Sequence, residues 1–119
     1  MATETSPDPT RLIPMHPLEF QVLMVLMDGE LHGYGIAKEI EGRETGLGKV
    51  LPTNLYRRLR DMAGKGMIIE EPASDGQQRR HFQVTPFGIA VAKAEAERLE
   101  ALVLSARERR LLPGRVGEG

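Results

Sequence analysis

Apolar and polar residues alternate along this chain with the period of helices at four places. From Pro17 to Met27 the apolar residues Phe20, Val22, Leu23, Met24, Val25, Leu26 and Met27 leave little polar face. A helix of that kind has to be covered on most sides. Pro17 suits a first helical turn, and Asp28-Gly29 ends the segment. A second helix is expected from about Tyr34 to Glu44, with Ile36, Ala37 and Ile40 as its inward stripe. The third begins at Pro52 and ends near Lys65-Gly66, where Leu55, Leu59 and Met62 share one face. The fourth and longest runs from about Pro86 to Leu112, with Thr85 placed to cap it.

Between the third and fourth helices the period changes to two. Met67-Ile68-Ile69 is a short apolar run, Ser74-Asp75-Gly76 is a turn signal, and His81-Phe82-Gln83-Val84-Thr85 alternates. Two short strands around a turn make a hairpin. The fold class is therefore mainly α with a small β-hairpin: a winged helix-turn-helix plus a C-terminal dimerisation helix. The expected organisation is a flexible N-terminal arm at 1–15, a winged helix-turn-helix domain at 16–85, a dimerisation helix at 86–112 and a flexible tail at 113–119.

The third helix changes this outline into a functional reading. With Leu55, Leu59 and Met62 inward, a step of about 100° per residue puts Thr53, Arg57 and Arg60 on the opposite side. Asn54 lies toward one flank and Tyr56 toward the other. Arg, Asn and Thr are the side chains that hydrogen-bond base edges in a major groove. A solvated surface helix would carry the same residue types, and Tyr56 could equally reach a phosphate or cover the edge of the core. Arg58 sits nearer the buried edge, where a long side chain lays its stem on apolar surface.

Gln78, Arg79 and Arg80 follow the hairpin turn. In a wing such residues reach the DNA backbone or minor groove; otherwise they keep an edge strand wet. Charge distribution favours the wing. Residues 49–82 carry seven Lys or Arg against four Asp or Glu, although the whole chain has a net charge of −1. The candidate DNA-binding residues are thus Thr53, Asn54, Tyr56, Arg57, Arg60, Gln78, Arg79 and Arg80.

The fourth helix carries a separate pattern. Ile89, Ala92, Ala96, Leu99, Val103 and Ala106 recur at three- and four-residue steps, and Leu102 widens the stripe. That is the seam of a packed helix pair, so these seven residues are the expected dimer interface. A monomer is expected to expose this stripe together with much of the first helix. Folding back of the fourth helix on its own domain would also hide the stripe.

Catalysis and metal binding find little support. The 119 residues contain no Cys, no Ser-centred elbow and no phosphate-cradling glycine loop followed by Lys and Ser or Thr. His32, beside Gly33, has no second His or acidic pair spaced to join it as a ligand, and a capping or packing role is the simpler one. No catalytic residue, metal ligand or cofactor is expected. The longest apolar run is too short to span a bilayer and no leader pattern opens the chain, which leads us to expect a cytoplasmic protein.

Three segments also resemble one family in sequence order. Leu31-His32-Gly33-Tyr34-Gly35-Ile36 resembles the L-H-G-Y-x-I motif of PadR-like regulators. Leu55-Tyr56, with Leu59, Met62, Gly66 and Ile68, is similar to that family's recognition-helix segment. Arg79-Arg80-His81-Phe82-Gln83-Val84-Thr85-Pro86-Phe87-Gly88 is similar to its wing signature. The resemblance spans roughly residues 16–110 and fits the shorter branch, with one C-terminal helix. It implies a winged-helix transcriptional repressor that binds double-stranded DNA as a homodimer and is relieved by a small-molecule effector or a stress signal. The chain departs from the family where a Ser or Thr cap precedes Pro-Gly-Thr, since Leu51-Pro52-Thr53-Asn54 stands there. It also has no Trp, three Phe and two Tyr, which argues against a stacked aromatic drug site. The rival reading is a winged-helix protein-interaction module that does not bind DNA; such a module would show apolar or acidic groups where Thr53, Arg57 and Arg60 stand.

Overall fold

The computed structural model describes residues 7–42, 51–72 and 80–113. Four helices and a three-stranded antiparallel sheet follow one another as α1 (Pro17–Leu26), β1 (Leu31–His32), α2 (Gly33–Glu41), α3 (Pro52–Gly64), β2 (Ile68–Pro72), β3 (Arg80–Val84) and α4 (Pro86–Glu108). A short 3-10 helix, Pro9–Leu12, precedes them.

The helix starts show why these segments fold where they do. His16 caps α1, its Nδ1 accepting from the Leu18 N–H at 3.0 Å, and Pro17 supplies the fixed first turn. His32 does the same for α2, accepting from the Gly35 N–H at 3.0 Å. It is therefore a capping residue, the simpler of its two roles. For α3, Leu51 occupies the cap position and provides no side-chain hydrogen bond. Thr85 caps α4 by accepting from the Gly88 N–H at 2.9 Å, and its hydroxyl donates to the Gly66 carbonyl at 2.6 Å. One hydroxyl thus ties the start of α4 to the turn that ends α3.

α1 is the centre of the core. It packs against α2, α3, α4 and β3, and buries Leu18, Glu19, Val22, Leu23, Val25 and Leu26. Among its large apolar residues Met24 remains exposed, as does Met27, which caps its end. The expectation that a lone subunit would expose much of the first helix is corrected here: the chain's own elements cover it. Leu55, Leu59 and Met62 of α3 and Ile36 and Ile40 of α2 close the same core, as their spacing requires.

The sheet has the order β1-β3-β2. β2 and β3 pair from Ile68↔Val84 to Pro72↔Arg80. Residues of the same parity share a face, so Ile68, Phe82 and Val84 look into the core, and Glu70 and Arg80 continue that face outward. β1 was not anticipated. Its two residues pair as Leu31↔Phe82 and His32↔His81, too few for alternation to be read from sequence.

Two further differences concern the ends. The stretch 1–15, expected as a flexible arm, contains the 3-10 helix, which packs against α4, and Met15, which is buried. The cause is in the side chains: Leu12 and Ile13 pack against the core, and the Glu95 carboxylate accepts a hydrogen bond from the Met15 backbone. α4 ends at Glu108, earlier than expected, followed by Arg110 at φ 62°. A left-handed residue there stops the helix.

Candidate nucleic-acid interface

α3 presents the face expected of it. Thr53, Asn54, Tyr56, Arg57 and Arg60 are all exposed, while Leu55, Leu59 and Met62 on the opposite side are fully buried. Among the described residues, no ion pair engages Arg57 or Arg60. Their guanidiniums are therefore presented to solvent from a helix whose other side is fixed in the core.

Arg58, one residue away, behaves differently. Its Nη1 lies 3.2 Å from Oε2 of Glu19, a carboxylate on α1 that is itself buried. The pair fixes α3 to α1, because a buried charge stripped of its partner is costly. This side chain helps set the roll of α3 and is not itself an outward donor.

The wing arginine Arg80 is also engaged. Its Nε lies 2.9 Å from Oε2 of Glu70 across the β2–β3 pair. Register explains the contact: Glu70 faces Phe82, and Arg80 is the diagonal neighbour on the same face. Arg80 was expected to reach DNA; it lies beside α3 but shares its charge with a carboxylate. Gln78 and Arg79 lie outside the described residues.

Tyr56 takes the covering role of the two left open for it. Its ring lies over Gly33, where a Cβ atom would collide with the phenol, yet the residue stays 40% exposed. Gly33 is thus glycine because Tyr56 needs the space. Sequence reasoning missed Tyr34, which is 63% exposed beside the same site. Its position in the H-G-Y segment could have pointed there.

The expected dimer stripe divides into two parts. Ala92 is buried inside the subunit and belongs to its core, with Val91 and Glu95 beside it. Ile89, Leu99 and Ala106 are half-buried, whereas Ala96, Leu102 and Val103 are exposed. The stripe is continuous; its first half packs largely on the chain itself, and its second half is only partly covered. Glu95 pairs with Arg98 at 2.7 Å. The Arg98 hydrogen bonds, helped by the Met15 N–H, hold this carboxyl below its ordinary value despite burial.

Among the described residues no group of His, Asp and Glu is placed to hold a metal ion, and no helix is long and apolar enough to cross a membrane.

Comparison with known proteins places this geometry in a family. The chain resembles a transcriptional regulator from Clostridium thermocellum, with 24% identity, a TM-score of 0.69, and coverage of 88% of this chain and 97% of the other. It also resembles a PadR family transcription regulator from Clostridium difficile, at 16% identity and a TM-score of 0.68 over 78% of this chain and 97% of that one. A protein from Thermoplasma acidophilum matches at 25% identity and a TM-score of 0.57, covering 78% of this chain and 86% of that one. No curated protein sequence matches the chain. The family described as the transcriptional regulator PadR-like family matches residues 22–94, which include all of α2, α3 and the sheet. With its winged-helix architecture and a match over more than half its length, the chain belongs to the PadR-like transcriptional regulator family.

Proposed function

We propose that this chain is a cytoplasmic, sequence-specific repressor that binds double-stranded DNA as a homodimer and answers to a small-molecule effector. The observation that carries the reading is the outward face of α3, where Thr53, Asn54, Arg57 and Arg60 stand exposed opposite buried Leu55, Leu59 and Met62. Each subunit sets that helix in a major groove, with Arg57 and Arg60 donating to guanine edges and Asn54 to adenine. Tyr56 and the wing residues Gln78, Arg79 and Arg80 contact the flanking backbone, fixing register without reading sequence.

A second copy covers the second half of α4, through Leu99, Leu102, Val103 and Ala106. The first half of the same stripe, Ile89 to Ala96, leads into that contact. Two-fold symmetry then predicts a palindromic operator with half-sites one helical turn apart, about 34 Å, or a multiple of it. An effector that shifts the angle between the two α4 helices would change that spacing and release the DNA.

The test is selection of bound duplexes from a random pool at physiological salt. An enriched palindrome supports the reading, and no enrichment refutes it. On the selected operator, Arg57→Ala or Arg60→Ala should each cost about 1–3 kcal/mol and relax preference at one base position. Because both residues are exposed, the melting temperature should not move.

A further inference from the structure

A cleft of about 270 Å³ lies beside α3, between the start of α2 and the sheet, and is lined by His32, Gly33, Tyr34, Tyr56, Glu70, Arg80 and Phe82. Its floor is apolar, formed by buried Phe82 and Gly33. Its polar walls are two phenols, an imidazole and a guanidinium. The phenols are held in place: the Tyr34 ring stacks on His32 with centroids 6.3 Å apart and lies under the Lys38 ammonium at 5.8 Å. Tyr56 rests on Gly33. The single carboxylate in the lining, Glu70, is bound to Arg80 at 2.9 Å.

The geometry points to a seat for one DNA backbone phosphate, guarded by Glu70. This rests on the DNA-binding reading of α3 and adds to it a strand position and a gate. A phosphodiester is a monoanion with two acceptor oxygens. Hydroxyls from Tyr34 and Tyr56 and the Arg80 fork match it, and Lys38 adds positive charge at the rim. Tyr56 directly precedes Arg57, so a strand read by α3 passes the mouth of the cleft. In the free protein Glu70 occupies the Arg80 guanidinium. The phosphate takes over that guanidinium on binding, and the carboxylate turns out to solvent. Glu70 therefore lowers affinity for every sequence alike, and so raises the share of binding that depends on bases.

The experiment uses the full-length protein with its selected operator, measured across a salt series. Glu70→Gln is expected to tighten binding about fivefold and to steepen the log–log salt slope by about 0.9, one phosphate contact. Tyr34→Phe and Tyr56→Phe should each weaken binding about threefold, as loss of one net hydrogen bond implies. In an Arg80→Ala background the gain from Glu70→Gln should vanish. An equal gain with and without Arg80 would mean simple long-range repulsion, and overturns the gate. If Arg57→Ala loses operator binding while the Tyr34, Tyr56 and Glu70 variants match the parent, the cleft is no phosphate seat although α3 still reads DNA. If inorganic phosphate alone shifts the tyrosine ring resonances and the duplex does not, the cleft holds a free anion and the proposal fails. The Glu70 and tyrosine substitutions are near-isosteric, and unchanged melting of every variant confirms that each reading concerns binding.

Discussion

The two halves of α4 are built from one apolar stripe but differ in how far the subunit covers them. In the first half, Gly88, Val91, Ala92 and Glu95 are buried against α1, the sheet and the N-terminal 3-10 helix. Gly88 has to be glycine, since a Cβ there would run into the Met67 carbonyl. In the second half the same side of the helix carries Leu99, Leu102, Val103 and Ala106 past the edge of the subunit, and Leu102 is 54% exposed. On the proposed dimer, a helix whose stripe outlasts its own domain separates folding from assembly along its length. Substitutions before Ala96 should act on the fold, and those after it on the dimer.

The largest effect is expected from Leu102→Glu. A carboxylate in the seam has to stay hydrated, costing several kcal/mol of association unless it escapes to water. Sedimentation should show a monomer where the parent is a dimer, with urea unfolding of the subunit unchanged. A variant that stays dimeric places the contact elsewhere. Next is Gly88→Ala. Overpacking typically costs about 1–3 kcal/mol, and contact with backbone puts this site at the upper end or beyond. Urea titration should show the loss, and a variant as stable as the parent would break the division from the other side.

A smaller effect comes from Glu95. Its folded carboxyl titrates below the ordinary glutamate value of 4.5, so the stability it contributes is present above that value. That contribution fades as pH falls through the lowered one. The stability gap between parent and Glu95→Gln should be widest near neutrality and close in acid, measured by urea unfolding at several pH values. A gap independent of pH would mean the pair with Arg98 contributes packing alone. The smallest effect is expected from Leu104→Glu. Leu104 is as exposed as Leu102, at 54%, but lies about 200° round the helix from it. It should leave both stability and dimerisation unchanged, which makes it the control for the first substitution.

What sequence made legible depended on the range of the interaction. The burial of Leu55, Leu59 and Met62, and the Thr85 cap, follow from neighbours one turn apart, and the spacing shows them directly. The outward set on α3 is their complement. The Arg58–Glu19 pair joins residues 39 apart in the chain, and the Arg80–Glu70 pair needs the hairpin register; neither is visible to periodicity. Glu95 is charged, and charge alone points a helical residue to the surface. It is buried because Arg98 and the Met15 backbone satisfy it, a partnership no helical wheel contains. The 3-10 helix at Pro9–Leu12 was hidden by the prolines at 7, 9 and 14, which mark loops and short helices alike. Ala92 was legible as apolar and interior-facing, but a stripe does not say whose interior.

The order of the sheet has a consequence for solubility. Among the described residues β3 lies between β2, which pairs along its whole length, and β1, which pairs only with Phe82 and His81, and the outer strands are β1 and β2. β1 is two residues long and offers little template for another chain. β2 is the longer edge, and after Ile68 and exposed Ile69 it reads Glu70-Glu71-Pro72. Two like charges and a residue with no N–H are what natural sheets use to refuse an incoming strand. On the proposed reading Glu70, beside α3, costs the protein some attraction for DNA, and protection of this edge is a second use for it. Replacing both by neutral residues would yield a regulator that grips DNA more tightly but whose hairpins are free to zip together into aggregates in concentrated solution.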